Sequence, residues 1–375
     1  MRIPRLPSCA GLTLATALTA QAPEITNRNL DQFRPGPAAM SDASAQPMPP
    51  PGTTGPALTL PRDRGAHLDA ARERWSLKAV LRTASGELLP FQLTFLSRAL
   101  GPDRPESAWS RGRLLSAEAS LGAEGGKARL ADRRRGRLGI PAGLSEDRLG
   151  LRCDGWTLTD PGDGHLHLDV PLTGGRVRLT LSGKGEPLSL PALEAGEPQR
   201  RTLRPRLEVE GRVELEGRAP LAVSGRALLL QEWGPDLPAD LAGWDRAFVL
   251  LKDGRTLLSF TLRGAPEQGG PRTSLLELDP KGQPLSFQRP PLAKPRRFWT
   301  SPFSQARYPV VVQIQDPRQP LLFEPMMDAQ EDHGEWVGAA VQWDGFGGVR
   351  NAQGALVGDA FLELAGYAHP VHGRY

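Results

Sequence analysis

Three carboxyl side chains in the C-terminal half of this chain sit next to tryptophans: Glu232 before Trp233, Asp245 after Trp244, and Glu335 before Trp336. A carboxyl group desolvated in apolar surroundings keeps its proton to higher pH, which makes it a usable general acid. An adjoining indole face can stabilise the cation that such an acid creates. Gln231 precedes the first pair; its amide has no accessible pKa, so it offers hydrogen bonds but no proton transfer. The same residues have a purely structural reading. Carboxylates at strand ends commonly anchor loops through backbone N–H groups, and tryptophans commonly plug barrels.

Other chemistry finds less support. His165 and His167 lie two apart and would face the same side of a strand, where they could ligate zinc or copper. No third ligand is near, and Asp163-Gly164 reads as a hairpin tip, so no metal site is expected. Phosphate loops, a Ser-His-Asp arrangement and a dinucleotide fingerprint are all missing from the sequence, and no cofactor is expected. The run Arg133-Arg134-Arg135-Gly136-Arg137 has no interleaved aromatics, and the formal net charge is only +4. It reads as a solvated loop or strand edge, and no nucleic-acid partner is expected.

Around these residues, 375 positions suffice for two domains with separate cores. The 42 glycines and 37 prolines argue for many short strands and turns rather than helices. Residues 1–22 resemble a secretory leader: Arg2 and Arg5, a modest apolar stretch from Leu6 to Leu18, then Ala20-Gln21-Ala22. Cys9 has too little hydrophobic sequence before it for a lipoprotein box. Leader removal would leave Cys153 alone, which excludes an internal disulfide and reads as a small buried apolar residue. Residues 23–60, rich in Pro, Ala, Ser and Thr, read as a disordered tether, with order beginning near Leu58. No later stretch is long and apolar enough to cross a bilayer.

Beyond the tether the pattern is mostly period two. Leu77–Leu81 and Phe91–Phe95 alternate around Ser85-Gly86, and Leu166–Val170 pairs through Gly174-Gly175 with Val177–Leu181. Further alternating runs occur at Leu207–Leu215, Leu221–Leu229, Phe248–Leu251, Leu257–Leu262, Val310–Ile314, Ala339–Val341 and Ala360–Leu364. Such strands, without helical patterns between them, indicate barrels or sandwiches.

The C-terminal third carries a series of short motifs: Gly243-Trp244-Asp245, Asp253-Gly254, Trp299-x-Ser301, Tyr308-Pro309, Gln330-Glu331, Trp336-x-Gly338 and Glu363 through Tyr367. In this order they resemble the secreted AttH-type branch of the carotenoid 1,2-hydratase family, over roughly residues 61–367. The resemblance implies an all-β fold of two tandem lipocalin-like antiparallel barrels, divided as 61–235 and 236–370. Glu73 and Trp75 match a Glu-Trp-Trp-Tyr run in which Arg74 and Ser76 replace aromatics. Ala117 and Gly122 stand where a His and an Asp are usual. In Gly225–Trp233 the family norm is close to Gly-x-x-Trp-x-Asp-His-Glu-Trp. Here Leu228, Leu230 and Gln231 replace Trp, Asp and His, while Glu232 and Trp233 stay. The strand Arg255–Leu262 lacks the acid that would protonate an alkene, and Val337 replaces a Glu.

Two functions follow from that pattern. The first is an extracytoplasmic protein, secreted or periplasmic, that binds an apolar small molecule or lipid in a dry cavity lined by Trp75, Gln231, Trp233, Trp244 and Trp336. Loss of His, Asp and Glu suits such a cavity, because unpaired buried polar groups are costly. The resemblance implies a lipid-exporting ABC transporter permease as a partner. The alternative is a hydro-lyase of the carotenoid 1,2-hydratase type adding water to an isoprenoid alkene, with Glu232 or Asp245 as a displaced acid.

Overall fold

A computed structural model describes residues 55–100, 110–122, 129–139, 142–183, 185–193, 199–264, 271–332 and 341–371. The leader, Cys9, most of the tether, Glu335, Trp336, Val337 and nearly all of the run Ala339–Val341 lie outside the described residues. A single-turn 3-10 helix (Arg62–Arg64) leads into two β-sheets.

The first sheet contains β1 (Arg72–Thr83), β2 (Leu88–Ala99), β3 (Ser110–Gly122), β4 (Arg129–Gly139), β5 (Ala142–Leu144), β6 (Gly150–Cys153), β7 (Trp156–Thr159), β8 (His165–Leu172), β9 (Gly175–Ser182), β10 (Leu188–Ser189), β11 (Arg200–Leu215) and β12 (Leu221–Gly234). The second contains β13 (Leu241–Leu251), β14 (Thr256–Gly264), β15 (Arg272–Leu278), β16 (Pro284–Gln288), β17 (Lys294–Thr300), β18 (Arg307–Gln315), β19 (Pro320–Pro325), β20 (Glu331–Asp332), β21 (Gln342–Arg350) and β22 (Leu356–Ala365). Among the described residues pairing is antiparallel except for one parallel contact between Leu138 and Ala142.

Both expected hairpins form. β1 and β2 meet with Ala79 opposite Phe91 across a turn in which Gly86 takes φ 88°, a conformation glycine reaches without steric cost. β8 and β9 meet with Val170 opposite Val177. The first sheet closes into a barrel because β11 pairs with β9 as well as β12. β11 can change partners along its length: Thr202 and Leu203 pair with β10, whereas Glu208–Leu215 pair with β9. Its register on β12 breaks between Arg204 and Leu207, where Pro205 removes a ladder N–H. The second sheet runs β16-β15-β14-β13-β22-β21-β19-β18-β17 and curls without a β16–β17 pairing among the described residues.

Among the described residues alternation creates three large apolar layers and a smaller cluster around Leu241 and Trp244. Trp75, Leu77, Ala79 and Leu81 point into the first barrel with Phe91, Phe95 and Trp156. Val249, Leu257, Tyr308, Val310 and Trp343 fill the concave side of the second sheet. The third layer lies between the sheets, where Val80, Leu228 and Leu230 of the first meet Phe248, Leu258 and Phe361 of the second. β1 and β12 are therefore covered on both faces, which the expected barrel pattern alone does not require.

Candidate functional site

Three consecutive residues of β12 are divided between two environments. Gln231 and Trp233 face the side shared with Trp75, to which Gln231 is registered across β1. Gln231 Nε2 donates to Glu73 Oε1 and to the Gly65 carbonyl, both at 2.8 Å. Glu73 also accepts from the His67 backbone N–H and pairs with His67 Nδ1, each at 2.7 Å. The other imidazole nitrogen lies 3.1 Å from Asp63 Oδ1. The His67 ring stacks on Trp233 at 4.0 Å and 5°, and Arg200 covers Trp233 at 5.1 Å. Burial opposes protonation of His67, but the hydrogen bonds and charges of Glu73 and Asp63 outweigh it and raise its pKa. Both ring nitrogens are thus occupied. Trp75 is 1 % exposed, and its indole N–H finds no acceptor among the described residues.

Glu232 faces the other way, into the layer between the sheets. It accepts from Arg201 Nε at 3.0 Å and from Arg246 at 2.7 and 3.3 Å. Burial alone would raise its pKa; the surrounding guanidinium groups, Arg246 and Arg201 foremost, pull it down to about 2. The same layer holds Glu363, which accepts two 3.1 Å bonds from Arg74 and pairs with Lys78 at 2.6 Å. Lys78 also donates to Gln92, whose amide reaches the Asp344 carbonyl. Farther along, Arg133 links Glu118 at 3.3 Å and Asp332 at 3.1 Å. Burial pushes Glu118 up to about 7 against the pull of Arg133, and with Glu363 nearby it pushes Asp344 up to about 6.

Arg74, Lys78, Arg201, Arg246, Glu118 and Asp344 are not among the candidate residues that the sequence offers. Period two does mark Arg72, Arg74, Ser76 and Lys78 as one polar face of β1. A polar face ordinarily reads as solvent-facing, and only the second sheet buries it. The arginine run read as a loop or edge lies within β4, where Arg133 belongs to this seam and Arg134 covers Trp156 at 5.1 Å.

Asp245 occupies the concave side of the second sheet. Tyr367 donates to it at 3.2 Å, and Arg263 Nε lies 3.3 Å away while its guanidinium covers the Tyr367 ring at 4.0 Å. Burial raises the Asp245 pKa against the pull of Arg263. Beside this group Tyr308 packs on Tyr367 at 5.3 Å and donates to Glu331, which also accepts from Ser301 and Ser304. Several C-terminal motifs thus converge: Trp299-x-Ser301, Tyr308, Glu331 and Tyr367. Trp244 points away from Asp245, 1 % exposed, with Arg246 over its ring at 4.9 Å. A cavity of about 90 Å³ opens between the sheets with Glu232 and Trp244 in its wall.

The residues set aside in the sequence have local partners. His165 Nδ1 lies 2.8 Å from Ser182 Oγ, and His167 Nε2 lies 2.8 Å from Asp163. Among the described residues no three His, Cys, Asp or Glu side chains come together as a ligand set. Cys153 is buried, with its thiol donating to the Leu115 carbonyl at 3.7 Å; burial pushes its pKa up to about 12.

A family model described as AttH-like matches residues 51–367. Among solved structures, an AttH protein of Nitrosomonas europaea is similar over 84 % of this chain and 99 % of its own, at 26 % identity and a TM-score of 0.73. Kievitone hydratase of Nectria haematococca is similar in fold over 86 % of this chain and 98 % of its own, at 12 % identity and a TM-score of 0.63. No curated protein matches the sequence. The expected all-β architecture of two lipocalin-like barrels holds, the second as a curled half-barrel.

Proposed function

This chain belongs to the AttH-like family, and from that premise we propose that it is an extracytoplasmic binding protein for an apolar small molecule or lipid. The observation that carries this reading is the state of Glu232. Clamped by Arg201 and Arg246 and held ionised, it is a structural anion with no proton to give. Gln231 and the fully buried Leu228 and Leu230 add hydrogen bonding and apolar surface but no acid. The cavity of about 90 Å³ beside Glu232, with Leu241, Trp244 and Leu262 in its wall, supports an apolar ligand.

The leader-like first 22 residues support export, and the family resemblance supports a lipid-exporting ABC transporter permease as the partner. Mass spectrometry of an organic extract of the purified protein is expected to reveal a co-purified lipid or terpenoid. An empty extract, together with no thermal shift across a panel of apolar ligands, would overturn the proposal.

A second reading is favoured by Asp245, a carboxyl group buried beside Tyr367 whose pKa is raised. It supports hydratase chemistry, the activity in the name of the Nectria haematococca protein that is similar in fold. Incubation with an acyclic carotenoid in isotopically labelled water separates the two. Label in the product, lost on Asp245→Asn and kept on Glu232→Gln, would establish this reading in place of simple binding.

A further inference from the structure

The cavity between the sheets carries four arginines in its wall: Arg72, Arg201, Arg246 and Arg272. Two acidic side chains share that wall, the buried Glu232 and, with its side chain 58 % exposed, Asp236. Within the wall itself the guanidinium groups outnumber the carboxylates. Glu232 is already engaged by Arg201 and Arg246. Arg72 has no such match: it is 5 % exposed, and its guanidinium makes no hydrogen bond or ion pair among the described residues. Burial brings its pKa down to about 9, with Glu232 resisting the shift and Arg246 adding to it. Proteins rarely bury a charge without a partner, and among the described residues Arg72 has the through-space attraction of Glu232 and Asp236 but no direct contact with either.

The rest of the wall is of a different kind. Trp244, Leu241 and Leu262 give it an apolar side, continued by Leu237 and Pro238. A cavity of about 90 Å³ has room for several water molecules, and so for a carboxylate head group. A planar guanidinium fork matches the two oxygens of a carboxylate.

We propose that this cavity binds the carboxylate end of an apolar organic acid, with Arg72 receiving the oxyanion and Trp244, Leu241 and Leu262 covering the first carbons of its chain. The assignment deepens the binding reading above and rests on it for the apolar part of the ligand. Arg72, which looks in the sequence like one more cation on the polar side of β1, becomes the residue that selects an acid over a neutral lipid.

Calorimetric titration of the full chain with decanoate, decanol and inorganic phosphate tests it. Decanoate is expected to bind at least about tenfold more tightly than decanol, and Arg72→Gln to weaken decanoate by about tenfold without changing decanol. Asp236→Asn, at the exposed rim, is expected to tighten decanoate by about threefold through removal of a repelling charge. Equal affinity for decanoate and decanol, or decanoate binding unchanged in Arg72→Gln, would overturn the assignment. If Arg72→Gln fails to fold, unchanged or weaker decanoate binding in Asp236→Asn overturns it instead. Phosphate binding as tightly as decanoate would assign the cavity to a free oxyanion and remove the apolar acid. Neutral lipid recovered from the purified protein with no decanoate binding would overturn this inference and leave the broader reading intact. Decanoate binding that depends on Arg72, even in a protein purified empty, would support the inference.

Discussion

Strand alternation sends Trp233 toward His67 and Glu232 toward Arg201 and Arg246, so two residues adjacent in the chain serve different surroundings. Replacing Glu232 by Gln would remove the carboxylate shared by two buried guanidinium groups and leave Arg246 only the longer 3.8 Å approach to Glu363 among its described ion pairs, at a cost of about 3–5 kcal/mol in urea denaturation at neutral pH. The pH dependence has a definite sign. Because the folded pKa is depressed to about 2, the stabilisation is present above the ordinary carboxylate pKa near 4.5 and disappears as pH falls through about 2. The acid limb of the stability profile should therefore flatten in Glu232→Gln; an unchanged limb would show that Glu232 is not held this way. His67 is bracketed by Glu73 and Asp63, and Glu73→Gln is expected to lower its imidazole titration, read by NMR. At this scale the sequence revealed which residue types were unusual, but not their partners. Arg74 looks like a lost aromatic, yet it forms the cross-sheet bridge to Glu363, 289 positions away.

Among the elements, the hairpins were legible because Leu, Val and Phe alternate cleanly on one side of each strand. β3 and β4 were not, since small and charged residues such as Ser116, Glu118, Arg133 and Arg135 blur the period. Their function in the fold is to carry the seam outward from β1. Glu118, pushed up to about 7 by burial, contributes stability that is complete below pH 4.5 and is lost as pH rises through about 7. Glu118→Gln should reduce that loss when wild type and variant are unfolded chemically at pH 5 and pH 8, leaving the share that Asp344 and His67 contribute. An undiminished difference between the two pH values in the variant would place the titrating group elsewhere. The β1–β12 contact is close enough to exclude a side chain at Gly225, where an added Cβ would meet the Val80 carbonyl at 2.0 Å. Gly225→Ala is expected to cost about 1–3 kcal/mol, whereas Gly143→Ala, with open space around it, should be nearly neutral.

Taken as a whole, the molecule is held together by a face that neither sheet would tolerate in water. Val80, Leu203, Leu228 and Leu230 are covered by the second sheet, together with the buried ion pairs beside them. A fragment ending at Gly234 would bare that surface, and such large apolar patches promote association. It is expected to aggregate or bind a hydrophobic dye strongly; a monodisperse, dye-negative fragment would show that the first barrel stands alone. The sequence announced strands in both halves. It could not announce that their convex sides meet, because that depends on which polar faces find each other.

The gap in the second sheet has a further consequence. Among the described residues β17 ends the ladder with the sequence Lys294-Pro295-Arg296-Arg297, so its outer rim presents cations and a residue lacking N–H. Those are the features that deter strand-by-strand accretion of other chains. Swapping Pro295 and Arg296 for valines would turn a guarded border into a template, and the first sign would be fibres rather than loss of the native fold.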